Sequence, residues 1–493
     1  MAKELKSQAI HGVFWSMIES YSGQIVQFVI SIILARLLTP SEYGLIGMLA
    51  IFMGISSVFI DGGFSSALIQ CKNRTPKDIS TVFFINVGMA CVVYLILFFC
   101  APLISDFYKE PVLTQIVRIY CLSLIISSIG STSNVQLTIK LDFKTSTKIS
   151  LTCGLISGII GIAMAYMGYG VWALVAQSLI SALLRIVLLY FFVRWLPFTG
   201  FSKSSFRKLF SFSSKLFSAT FISAVYDNIS GAVIGKQFNA ADLGYYNRAQ
   251  GFNLLANGNI TSVLGRVSYP LLSQIQDEDA RLKIIYQRYI QVSAFLTFPV
   301  LMILCAVAKP LILFLLTEKW ESAIIMMQIL SFGFLSNGII VSNINLIKVK
   351  GRSDYVLKLE IIKKTIAFTI LGIAIALDNV LAICIGQALY GAVFALYINT
   401  YYTKKILGYG FREQFKDFLP YLIISLFMLG IGLTLSAIIT NSLLALIIIV
   451  PVCAVFYLFL CSRLNLYAYT EVKGMLKPIT SKVFRNKAKT QNG

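Results

Sequence analysis

Residues 79–104 read ISTVFFINVGMACVVYLILFFCAPLI, with Lys72, Arg74 and Lys77 just before them and only Lys109 just after. A bilayer core takes about 20 apolar residues of helix, whereas a buried strand needs only a handful. The stretch therefore predicts a transmembrane helix with its basic end on one particular side. The same pattern recurs along the chain. Apolar spans are predicted at 10–38, 43–70, 79–104, 112–139, 147–167, 170–193, 211–235, 248–275, 286–308, 320–347, 358–377, 380–403, 418–438 and 442–462. This is an all-α integral membrane protein of about fourteen transmembrane helices.

Most of the 42 basic residues lie in alternate gaps. Lys140, Lys144 and Lys148 fill one such gap; Lys203, Arg207 and Lys208 fill another; Lys348, Lys350 and Arg352 a third; and Lys473, Lys477 and Lys482 begin a basic tail. The intervening gaps hold little beyond Arg36, Lys109, Lys236, Arg248, Lys309 and Lys319. The positive-inside rule then places both termini in the cytoplasm, as an even number of helices requires.

Composition excludes other classes. Hydrophobic residues are 57% and charged residues 13% of the chain, which does not suit a soluble globular domain. The net charge of +21 sits in membrane-flanking loops, where it orients the helices and meets anionic lipid; no basic folded module suggests nucleic acid. The nine cysteines form no C-x-x-C pair and read as free thiols, and His11 is the one histidine, so metal sites and Ser-His-Asp catalysis are not expected. No Walker loop is present. The chain is expected to be neither an enzyme nor a cofactor protein. Asp277-Glu278-Asp279 resembles a metal–nucleotide D-x-D but lies in a short cytoplasmic gap, where a solvated acid cluster is the simpler reading.

The polar linker around Arg194 to Phe210 divides the chain into expected lobes of six helices each, residues 1–200 and 201–405. Helices 13 and 14 follow over 406–465, then a basic cytoplasmic tail over 466–493. An eleven-residue similarity offset by 200 supports a parallel repeat. Leu34 to Gly44 reads LARLLTPSEYG, and Ile234 to Gly244 reads IGKQFNAADLG. Each copy has a cation near a helix end, then an N-cap residue, Thr39 or Asn239, with Glu42 or Asp242 three positions on. Gly154-x-x-x-Gly158 reads as helix packing, and Pro299 and Pro451 as bends within helices.

Polar residues at membrane depth mark pathways or interhelix bonds. At 100° per residue, Ser16, Ser20, Gln24, Gln27 and Ser31 share a stripe of the first helix. Gly54, Ser57, Asp61 and Ser65 share one on the second; Thr220, Ser223, Asp227 and Ser230 on the seventh; and Gln250, Asn253, Asn257 and Thr261 on the eighth. Arg266 and Asn259 lie off the last. Glu19, Asp61 and Asp227 are the deep acids. Arg118 and Arg185 are also intramembrane, but each lies within about two or three turns of a helix end and could snorkel to the interface. Four stripes on matched helices predict a hydrated cavity; the alternative is packing between helices.

The stretches Leu37 to Gly44 (LLTPSEYG), Asp61 to Gln70 (DGGFSSALIQ), Leu243 to Ala249 (LGYYNRA) and Tyr269 to Gln276 (YPLLSQIQ) resemble Wzx-type polysaccharide flippases of the multidrug/oligosaccharidyl-lipid/polysaccharide exporter superfamily. The resemblance implies two six-helix lobes with helices 1, 2, 7 and 8 around a central cavity. It also implies movement of undecaprenyl-pyrophosphate-linked oligosaccharides across the bacterial inner membrane for capsule, lipopolysaccharide or exopolysaccharide. The substrate would then contact Gln24, Gln27, Ser57, Ser223, Gln250, Asn253 and Asn257 through sugar hydroxyls, and Lys215, Arg248 and Arg266 through the pyrophosphate. With no nucleotide motif, Glu19, Asp61 or Asp227 is the expected ion-coupling group. Membrane lipids, a polymerase and chain-length machinery are the expected partners. A multidrug exporter and a flippase for lipid-linked peptidoglycan precursor remain the competing readings.

Overall fold

The structure, a computed structural model, describes residues 22–71, 73–197 and 199–474. Contacts divide the chain into two units, Met1–Gly244 and Tyr245–Gly493. The first holds α1 (Ser22–Leu37), α2 (Pro40–Met48), α3 (Ala50–Asp61), α4 (Phe64–Gln70), α5 (Pro76–Tyr108), α6 (Leu113–Tyr120), α7 (Leu122–Ile139), α8 (Phe143–Tyr166), α9 (Val171–Val193), α10 (Lys203–Gln237) and the first turn of α11 (Ala240–Ser273). The second holds the rest of α11, then α12 (Asp279–Ala306), α13 (Ala308–Leu316), α14 (Ser322–Phe334), α15 (Asn337–Val349), α16 (Ser353–Ala376), α17 (Val380–Leu389), α18 (Ala395–Leu407), α19 (Phe411–Ile438) and α20 (Ser442–Arg463). No strand occurs among the described residues. Thus α10, assigned by sequence to the second lobe, makes its contacts within the first unit, along α3.

Among the described residues, ten spans are long and apolar enough to cross a membrane. The long helices outside that set include α10, α11 and α16. Asp227 and the many serines of α10, and the asparagines of α11, hold down their hydropathy.

The predicted helix 2 is not continuous. Its chain turns at Leu49 and breaks at Gly62 and Gly63, whose φ values of 52° and 80° are left-handed and suit glycine. The Asp61 carboxylate accepts the Gly63 N–H at 3.1 Å across the break. Gly63 also lies against α10, where a Cβ would meet the Ser213 carbonyl at 2.8 Å. Helix 10 is likewise divided between α14 and α15, and a π-helical turn, Tyr390–Phe394, separates α17 from α18. The Ser336 hydroxyl, between α14 and α15, donates to the Ala392 carbonyl in that turn at 3.0 Å, so the two irregularities satisfy one another. Pro299 and Pro451 fall inside α12 and α20 as expected, and the cysteines are free.

The linker before α10 is held down. Thr199 Oγ1 donates to Ser80 Oγ and the Pro76 carbonyl, and the Ser202 N–H donates to Thr81 Oγ1. Lys208 Nζ lies 3.0 Å from Asp78 Oδ2, which also accepts the Thr75 N–H in a capping box. Asp78 is only 2% exposed. Asp78→Ala should cost about 2 kcal/mol, because it removes a cap and strands two donors. Lys208→Ala should cost less, since its ammonium is largely exposed. Thermal unfolding in detergent measures both.

In the second unit, α12 packs along α19 and α20 around Phe295, Phe298, Tyr421 and Tyr457. A buried polar network ties this group to α15 and α18. Gln414 Nε2 donates to Asn343 Oδ1 at 3.0 Å and Thr403 Oγ1 at 3.1 Å, and its Oε1 accepts from Asn343 Nδ2. Tyr286 donates to Asn343 Oδ1 as well, and Tyr409 donates to Asp417 Oδ2 at 2.6 Å. Burial, and then the Asp417 carboxylate taking its hydrogen bond, hold the Tyr409 phenol far above the usual tyrosine range. It therefore remains a donor at any working pH.

Candidate functional site

Helix rise places each candidate in depth at about 1.5 Å per residue. Measured from the turn at Pro40, Asp61 lies about 32 Å along, near the far boundary of a hydrocarbon core of about 30 Å. Asp227 precedes the C-terminal end of α10 by ten residues, or about 15 Å, so it lies near mid-depth. Lys215 lies about 33 Å before the same end, near the far boundary. Because α11 starts at Ala240 rather than 248, Arg248 lies about 12 Å along it, and Arg266 about 39 Å along it, past the far side of the core. Glu19, Ser16 and Ser20 lie outside the described residues.

In the first unit, α8 supports α1 through Gly154 and Gly158, where added Cβ atoms would meet Val26 and Ile30. The predicted packing role of this glycine pair stands. Val26 and Ile30 face α8, which leaves Gln24 and Gln27 on another face; Gln24 is partly buried and Gln27 exposed. On α3 and α10, Phe59 packs edge-on against Phe217 and Phe221, with ring centroids 5.2 and 5.7 Å away. Gly54 admits the Asn228 amide. The polar stripe of Ser223 and Asp227 lies about 100° around α10 from that seam and is exposed, as is Ser57, which donates to the Gly54 carbonyl. Lys215 is exposed but sits off the stripe. The structure thus joins the helices bearing Ser57, Asp61, Ser223 and Asp227.

In the second unit the α11 stripe turns inward. Asn253 is fully buried; its Nδ2 donates to the Met327 carbonyl at 3.1 Å, and Ser331 Oγ donates to its Oδ1 at 2.8 Å. Asn257 is buried beside it, Gln250 is partly buried, and Tyr246 on the same face bonds Gln387. These contacts are interhelix bonds to α14 and α17. The open face of α11 carries Gly251, Gly258, Ser262 and Arg266, the last donating to Ser262 Oγ at 2.9 Å. Periodicity places Arg266 off the asparagine stripe, and that offset is what puts it on the open side. The Arg248 guanidinium lies over Trp320, 5.6 Å from the ring centre. No cluster of His, Cys, Asp and Glu suited to a metal occurs among the described residues.

The two repeated turns meet one another inside the first unit. Thr39 forms a full capping box with Glu42. Asn239 accepts the Asp242 N–H at 2.8 Å and donates to its carboxylate. Gly44 lies against the backbone carbonyl of Ala240, and Gly244 lies against that of Pro40. An offset of 200 residues exchanges one contact for the other, 40 with 240 and 44 with 244, so the crossing is quasi-twofold. Lys236 sits over Phe107, 4.4 Å from its ring centre, and donates to the Phe107 carbonyl.

A profile of the polysaccharide biosynthesis protein family matches residues 33–325. The chain belongs to that family. It is 25% identical over 488 residues to the teichuronic acid biosynthesis protein TuaB of Bacillus subtilis (strain 168), covering 96% of this chain and 98% of TuaB. It is 24% identical over 443 residues to the lipopolysaccharide biosynthesis protein WzxC of Escherichia coli (strain K12), covering 87% and 89%. Among solved structures, the lipid II flippase MurJ in an inward closed conformation superposes with a TM-score of 0.72 at 16% identity, over 91% of this chain and 98% of MurJ. An inward-facing multidrug resistance MATE family transporter of the MOP superfamily gives 0.63 at 13% identity, over 79% of this chain and 98% of the transporter. The likeness to these solved structures supports an all-α, multi-pass membrane fold.

Proposed function

We propose that the chain is a flippase that carries undecaprenyl-pyrophosphate-linked oligosaccharide units across the bacterial inner membrane for surface polysaccharide synthesis, with both termini cytoplasmic. The family match carries this reading, and its relatives are named for teichuronic acid and lipopolysaccharide biosynthesis. The polar faces of α3 and α10, set among apolar helices, suit a headgroup of sugars and phosphates whose polyprenyl tail remains in lipid. Within the first unit, Gln24, Gln27, Ser57 and Ser223 meet the sugar, while Lys215 supplies charge for the pyrophosphate. Asp227, near mid-depth, is the foremost coupling carboxylate, ahead of Asp61 at the helix break. A polymerase and chain-length machinery take up the product outside.

Deletion should leave lipid-linked repeat units on the inner leaflet and abolish surface glycan, as read by glycan profiling of fractionated cells. Asp227→Asn should retain protein in the membrane while cutting export at least about tenfold, as expected for loss of an obligatory charge. Full surface glycan in the deletion strain would sink the reading. Loss of peptidoglycan instead would favour a lipid-linked peptidoglycan precursor, and drug hypersensitivity alone would favour a multidrug exporter.

A further inference from the structure

We propose that Arg185 on α9 and Asn134 on α7 form a site for a phosphate oxyanion inside the first unit, apart from the polar stripes described above. The inference rests on the flippase reading for which molecule carries that phosphate.

Arg185 lies eight residues, or about 12 Å, before the inner end of α9; Asn134 lies about 8 Å before the inner end of α7. A guanidinium at this depth is costly unless a partner offsets it. Here Arg185 Nη2 donates to Asn134 Oδ1 at 3.2 Å, and no carboxylate stands within ion-pair range of it among the described residues. Its Nε is buried with no hydrogen-bond partner. The side chain is turned toward α7 rather than to the interface, so snorkelling does not account for it. Asn134 is already committed through its Nδ2, which donates to the Gly130 carbonyl.

Uncharged polar groups flank the pair. Asn86 of α5 donates to Ser131 Oγ at 3.1 Å, in the same inner layer. A purely structural clamp would pair the charge or replace it by an apolar residue. A planar guanidinium on a partly buried side chain, whose Nη1 makes no hydrogen bond within the protein, can grip an oxyanion through two parallel bonds from its Nη1–Nη2 edge. The phosphate comes either from the pyrophosphate link of the cargo or from an inner-leaflet phospholipid headgroup.

The test uses full-length protein in phosphatidylcholine nanodiscs titrated with inorganic pyrophosphate, binding being read as thermal protection. Arg185→Gln should raise the half-saturating concentration at least about tenfold and Asn134→Ala about threefold, as loss of a bidentate charged contact and of its support predicts. Arg185→Lys should fall between. Arg185→Met, which keeps the volume, should abolish protection while leaving the unliganded unfolding temperature unchanged or higher. Wild-type titration by Arg185→Gln overturns the site, as does an Arg185→Met protein that is less stable yet protected normally. In phosphatidylglycerol nanodiscs, weakened protection of wild type assigns the headgroup as ligand; unchanged protection assigns the cargo. If pyrophosphate binding depends on Arg185 but proteoliposomes translocate no lipid-linked glycan, the flippase reading fails and the site stands.

Discussion

Replacing Gly44 by alanine is expected to lower the unfolding temperature of the purified protein by about 5–10 °C, the range set by a severe overpacking. The new methyl would overlap the Ala240 carbonyl, and backbone cannot swing aside as a long side chain can. Gly244→Ala should behave alike, because it meets the Pro40 carbonyl. Gly251→Ala is the control. Nothing lies within 4 Å of its Cβ, so the change should be neutral or stabilise by up to about 1 kcal/mol through helix propensity. Equal unfolding temperatures for all three variants would show that the turns do not cross as described.

Gln414→Ala is the second large effect, about 3 kcal/mol or more, since Asn343 and Thr403 would each lose a partner in a buried setting. Gln414 and Asn343 share two hydrogen bonds, so the double variant should cost clearly less than the sum of the singles. Additive costs measured by thermal or denaturant unfolding would mean that the two side chains act independently.

The helices are legible in the sequence because apolar runs of this length have little use outside a bilayer. The break after Asp61 is also visible, as adjacent glycines, but hydropathy averages over such pairs. Hydropathy misplaces the start of α11 although Asn239 reads as a cap: Asp242, Asn247 and Arg248 make its first turns look like loop. Periodicity finds the stripes of α10 and α11 but does not say which neighbour each faces. Hence Asp227 is exposed while Asn253, equally polar and equally spaced, is consumed by α14. The network around Gln414 leaves no local signal, because its members are single residues on separate helices. Distance from a helix end makes Arg185 look able to reach the interface, which its contact with Asn134 does not allow.

The meeting of the two repeated turns binds the history of one copy to that of the other. A duplicated segment ordinarily drifts apart freely, each half answering to its own surroundings. Here positions 40 and 244, and positions 44 and 240, press backbone on backbone, so a bulkier residue in one copy is viable only beside a matching retreat in the other. Across descendants of this chain the two turns should therefore change in step, and a hybrid that takes its first turn from one descendant and its second from a distant one should assemble poorly even though each turn is sound where it arose.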